Sequence, residues 1–167
     1  MSAKVPYGKP VKLLVDLQGY PDGRLVQYEI WRKTSKGEEK AAELNGATRG
    51  NKAVAIWNPD FLGDTTFELD EKPNTQKVDE KYYFKAKIDD KETKSTDMEF
   101  TFPLTLFLKD MGEPLTGIRC KISFSDGTKS EAEFSKGFAT FNNVPLGHFT
   151  VEVEGYKPNT LYGVLKR

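Results

Sequence analysis

One cysteine, one histidine, no surplus of either charge and no long apolar run: each scarcity closes a class of function. Cys120 stands alone, so no disulfide can form within the chain. Its spacing with Ile118, Ile122 and Phe124 predicts one buried strand face, which makes it a small core residue rather than a reactive thiol. His148 sits beside Gly147, in a predicted solvent-facing turn leading into the last hairpin. A metal centre gathers several His, Cys, Asp or Glu ligands, so no metal is expected. A Ser-His-Asp triad would have to spend His148, and no Gly-x-Ser-x-Gly elbow is present. The phosphate-cradling Gly-x-x-x-x-Gly-Lys-Ser/Thr loop is missing too, so no cofactor is expected. The acidic pairs Glu38-Glu39, Asp70-Glu71, Asp79-Glu80 and Asp89-Asp90 fall in predicted turns, nearly all with lysines close by. They read as solvated charges rather than the paired acids of a glycosidase cleft.

Basic and acidic residues balance at 25 each, with 17 and 18 up to Thr101 and 8 and 7 after it. Without a basic excess the release of counterions that drives nucleic-acid binding is missing, so nucleic acid is not an expected partner. Nothing approaches 18 consecutive apolar residues, so membrane insertion by a helix is not expected. The first ten residues hold no apolar core of a signal peptide, which predicts cytoplasmic synthesis. Export would then need a route without a classical signal, or the chain would be a piece of a longer one.

What the chain does hold is short alternating hydrophobic runs between turn residues. Val11, Leu13, Val15 and Leu17 alternate with Lys12, Leu14, Asp16 and Gln18; after Gly19-Tyr-Pro21-Asp22-Gly23, Val26, Tyr28 and Ile30 alternate with Gln27, Glu29 and Trp31. That is a hairpin pattern. The run Ala53–Trp57, the pair Phe67/Leu69, Tyr82–Ile88 and Met98–Phe102 add four predicted strands. Glu38 to Leu44 is the one stretch with helical preference, about two turns long, too short to stand alone; a strand or irregular crossover is preferred there. The fold class expected is all-β: two β-sandwiches in tandem, residues 1–101 and 102–167. Pro103 marks the joint, read as a short stiff linker because proline interrupts a ladder.

The second half is punctuated in a fixed order: Gly112-Glu-Pro114-Leu115-Thr-Gly117, Asp126-Gly127, Gly137-Phe138-Ala139-Thr-Phe141, Val144-Pro145-Leu-Gly147 and Gly155-Tyr156. Glycine and Asp-Gly supply positive φ, and proline sets fixed bends, every eight to twelve residues. This order resembles the transthyretin-like, or carboxypeptidase-regulatory-like, module. Gly19 to Trp31 and Tyr82 to Lys87 resemble immunoglobulin-like segments that precede such modules in spike and effector proteins of contractile injection systems. The resemblance implies an immunoglobulin-like sandwich followed by a transthyretin-like one. It also implies a setting in a type VI-like apparatus, with a spike or effector as protein partner. Transthyretin-shaped enzymes that hydrolyse hydroxyisourate use several histidines and a C-terminal Tyr-Arg-Gly-Ser; the last residues here are Tyr162-Gly-Val-Leu-Lys-Arg167.

Function is therefore expected at the surface, from a non-catalytic adaptor. Trp31 is opposite in parity to Tyr28 and Ile30, Trp57 to Val54 and Ile56, and Phe107 to Leu106 and Leu108, which predicts all three on outer faces. Phe61 lies in the long loop-like stretch Asn58 to Asp79, a further candidate contact. The alternative is an extracellular carbohydrate-binding or adhesive module, its tryptophans stacking on sugar rings.

Overall fold

The structure, a computed structural model, describes residues 3–59, 66–70, 80–155 and 160–166. The described residues form strands and turns with no helix. In order the strands are β1 (Ala3–Pro6), β2 (Val11–Asp16), β3 (Leu25–Thr34), β4 (Gly37–Arg49), β5 (Lys52–Trp57), β6 (Thr66–Asp70), β7 (Glu80–Ile88), β8 (Lys91–Lys94), β9 (Met98–Phe107), β10 (Lys109–Asp110), β11 (Glu113–Pro114), β12 (Arg119–Phe124), β13 (Lys129–Glu133), β14 (Phe138–Pro145), β15 (Gly147–Val153) and β16 (Thr160–Lys166). Two compact units result. The first holds β1–β5, β7, β8 and the start of β9; the second holds β6, the rest of β9 and β10–β16.

In the first unit the strands run β1-β9-β7-β3-β4-β5-β2, with β8 beside β7. Strand β3 is its spine, because Val26, Tyr28 and Ile30 are fully buried on one face. Each such side chain contributes roughly 1.5–3 kcal/mol when removed from water. Residues Glu38 to Leu44 extend as part of β4, paired along β3, so the ladder overrides their helical preference. The core beside them is aromatic. Trp57 lies 5.8 Å from Tyr82 and 5.6 Å from Phe100, and Tyr82 and Phe100 are 5.3 Å apart, measured between ring centroids.

Trp57 corrects the sequence expectation: it is only 2% exposed, while Ile56, expected inside, is 52% exposed. The cause is register. Leu13 pairs with Ala55 and Val11 with Trp57, so alanine and tryptophan share the buried face with β2's core side chains. Val54 and Ile56 take the outer face.

In the second unit β12 and β15 form the centre of the order β13-β12-β15-β16-β6. Cys120 pairs with Val153, Ile122 with Val151 and Phe124 with Phe149, and all six are buried. The Asp126-Gly127 turn closes β12 onto β13: the Asp126 carboxylate accepts the Thr128 N–H at 2.9 Å, and Gly127 adopts φ 88°. Strand β6, which a boundary at 101/102 leaves in the first domain, pairs with β16 in the second unit.

The two units divide close to Pro103, between Phe100 and Thr101, but not through a linker: the proline lies inside the unbroken strand β9. The ladder to β14 adapts: Phe102 pairs with Val144 and Leu104 with Phe141, so Asn142 and Asn143 together face Pro103. Asn143 takes φ 60°. The bulge places an irregular backbone where proline has no N–H to give.

Candidate protein-binding surface

On the second unit, alternation along β9 turns Leu104 and Leu106 inward and leaves Thr105 and Phe107 outside. On β14, Ala139 and Phe141 are buried and Phe138 and Thr140 face out. Phe107 pairs with Phe138 and Thr105 with Thr140, so two rings and two hydroxyls form a ribbon across two strands. The ring centroids are 4.7 Å apart, tilted by 47°. Phe107 is 43% and Phe138 52% exposed. Packing on each other leaves much of each ring in contact with water, as at many contact sites.

The ribbon is braced from behind. Gly137, at φ 90°, donates its N–H to Leu115 O at 2.7 Å, and its carbonyl accepts the Leu108 N–H at 2.9 Å. A Cβ at Gly137 would collide with the Phe107 ring, so only glycine lets the ring lie there. The Lys109 ammonium sits 5.4 Å from the Phe107 centroid. Beyond it, Met111 and Gly112 turn the β10–β11 hairpin with φ 50° and 85°. Met111 at its tip is almost wholly exposed.

The other expected contact residues fall differently. Phe107 is exposed, Trp57 is in the core, and Phe61 lies outside the described residues. Trp31 faces outward from β3 but is half-buried, because Tyr83 stacks beside it at 6.5 Å and 8°. The ammoniums of Lys85 and Lys40 lie 4.9 Å and 5.8 Å from its ring centroid. Glu29 anchors this face: it is 6% exposed and bonds Lys40 at 2.6 Å and Lys87 at 3.0 Å. Those bonds, above all the one from Lys40, hold its carboxyl at about 2, below the ordinary 4.5. A lowered carboxylate value stabilises the fold above pH 4.5, and that stabilisation is lost as pH falls toward 2. Glu29→Gln should therefore lower stability at neutral pH by about 1–3 kcal/mol. In acid denaturation followed by circular dichroism, the gap between variant and wild type should close below pH about 2; a gap that ignores pH would show that charge pairing is not what Glu29 supplies.

Phe138 and Met111 are exposed apolar residues that sequence reasoning missed. Phe138 and Phe141 are three positions apart, which puts them on opposite faces of β14. That parity was a usable signal; Met111 offered none. Cys120 is buried, and burial raises its thiol above the ordinary value, which disfavours the nucleophilic thiolate. His148 lies in β15 opposite Val164, half-buried, in a strand rather than a turn. Among the described residues no three His, Cys, Asp or Glu side chains gather as metal ligands would. The described residues include no helix long and apolar enough to cross a membrane. Compared with models of known protein families and with curated proteins, the chain finds no match in either.

Proposed function

We propose that the chain is a non-enzymatic adaptor that binds another protein through the Phe107–Phe138 ribbon. One observation carries this: two aromatic rings, each about half exposed, held in register on a rigid ladder. Exposed aromatics on fixed backbone lose little entropy on docking, and such residues dominate binding energy at interfaces. The two units are an immunoglobulin-like and a transthyretin-like sandwich in this reading, supported by the all-β fold and the ordered turn motifs. The setting is a contractile injection apparatus of the type VI kind, with a spike or effector as partner. That setting rests on the motif resemblance alone.

Pull-down with tagged full-length chain from a host carrying such an apparatus tests both parts. A spike or effector should be recovered, and Phe107→Ala or Phe138→Ala should each weaken its binding about tenfold or more. Thermal melts of both variants should stay near wild type, since neither ring is in the core. Recovery of the partner at undiminished affinity by both variants would remove this surface from the proposal.

The carbohydrate-binding reading draws on the same ribbon. The Thr105 and Thr140 hydroxyls, 3.2 Å apart, flank the rings and offer a sugar hydrogen bonds beside a stacking face. Glycan-array binding lost in both phenylalanine variants would favour it over a protein partner.

A further inference from the structure

The described sheet edges of the chain are not protected alike. An open strand edge presents unpaired N–H and C=O groups, and proteins blunt such edges with charge or proline. Strand β8 reads Lys-Glu-Thr-Lys with every side chain exposed, β13 reads Lys-Ser-Glu-Ala-Glu, and β1 ends in Pro6. Strand β2 differs: Val-Lys-Leu-Leu-Val-Asp, mostly apolar, paired to β5 from Val11 to Asp16 with no bulge. Among the described residues no strand pairs with its other side. A groove of about 450 Å³ runs there, between Leu14–Asp16 and Thr93–Thr96.

Hydrogen-bond alternation decides which groups that edge offers. Leu17 donates its N–H to Asn51 O across the β2–β5 ladder at 2.8 Å. Every second residue back along an antiparallel ladder points the same way, so Val11, Leu13 and Val15 bond toward β5. Lys12, Leu14 and Asp16 therefore aim their N–H and C=O groups outward. All three also carry exposed side chains on one face, with Leu14 48% exposed.

We propose that this edge binds a second copy of itself, antiparallel, about a two-fold axis at Leu14. In that register Leu14 faces the partner's Leu14, Lys12 faces the partner's Asp16, and Asp16 faces the partner's Lys12. The three outward-pointing residues then exchange main-chain bonds, and both charge pairs are opposite in sign. On the other face Leu13 meets the partner's Val15, apolar to apolar. The sequence +, apolar, − about a central leucine is self-complementary, as an isologous contact requires. It also joins apolar side chains already in line, three exposed and Val54 half-buried: Leu25 pairs with Ala47, Ala47 with Val54, and Val54 with Leu14. The two-fold doubles that apolar row across both copies.

The contact is independent of the Phe107–Phe138 ribbon. Light scattering of the full chain at rising concentration should show a mass climbing from 18.9 kDa toward twice that value. Lys12→Asp and Asp16→Lys, both at exposed positions, should each weaken association at least about tenfold, because two opposite-charge pairs become two like-charge pairs. An equimolar mixture of the two variants should associate again, since one carries acids at both positions and the other lysines at both. A wild type that stays at 18.9 kDa up to millimolar concentration overturns the proposal. So does a dimer that both variants keep, or a mixture that stays monomeric. Protection of the β2 amides seen only on adding a foreign peptide, with the chain monomeric, would assign the edge to another occupant.

Discussion

Trp57→Ala should lower the stability of the first unit by about 3–5 kcal/mol, the range for truncating a buried tryptophan. The ring is 2% exposed and touches Tyr82 and Phe100, which also pack on each other. Phe100 in turn lies 6.2 Å from Tyr7, edge to face. Removing the indole therefore strips two rings of a shared neighbour, and the ladder to β2, where Val11 pairs with Trp57, keeps the hole from collapsing. A small domain has about 5–15 kcal/mol in all, so the loss is a large share. Urea unfolding read by the remaining fluorophore, Trp31, measures it directly. Trp57→Phe should retain most of the packing and lose about half as much or less. A loss below about 1 kcal/mol for the alanine variant would mean that Trp57 is not buried among these rings.

Gly46→Ala should be nearly as damaging, at about 3 kcal/mol, though it adds only one carbon. A Cβ there would stand 2.5 Å from the carbonyl oxygen of Val54, 3.0 Å from its carbonyl carbon and 2.8 Å from the Tyr28 ring. Two of those atoms are backbone of β5, so relief requires prising strands apart. Tyr28 has no room either, being fully buried. Gly50→Ala is the matched control: φ there is 59°, so alanine strains the backbone, but nothing lies within 4 Å to collide with it. Chemical denaturation of the pair separates collision from strain. If both variants unfold at one midpoint, close approach at Gly46 is not what the position requires.

The strands most legible in the sequence were those with large side chains alternating against polar ones. Val26, Tyr28 and Ile30 on β3 behave that way, and so do Cys120, Ile122 and Phe124 on β12. In each, one face outweighs the other so clearly that parity alone assigns the core. Strand β5 defeated the same rule because both of its faces are apolar. Valine and isoleucine look more core-like than alanine, but the bulk of Trp57 and the partners on β2 decide the orientation. Phe107 was read correctly as outward, since Leu104 and Leu106 set the parity of β9 beside it. Its companion Phe138 comes from a strand thirty positions on, and only the ladder brings the two together. The units do divide near Pro103, between Phe100 and Thr101, but the proline does not interrupt β9, because its cost in a strand depends on what lies opposite. The bulge at Asn142 and Asn143 is a property of the neighbouring strand.

The pairing of β6 with β16 has a consequence for how the chain is made. Asp70 waits for Tyr162 and Thr66 for Lys166, partners synthesised some ninety to a hundred positions later. At about 5–20 residues per second, translation keeps that segment without its native neighbour for roughly 5–20 s. The second unit thus cannot close its β6–β16 ladder until Thr160–Lys166 has been made and has left the ribosome. Until then the early segment is a candidate client for a holding chaperone.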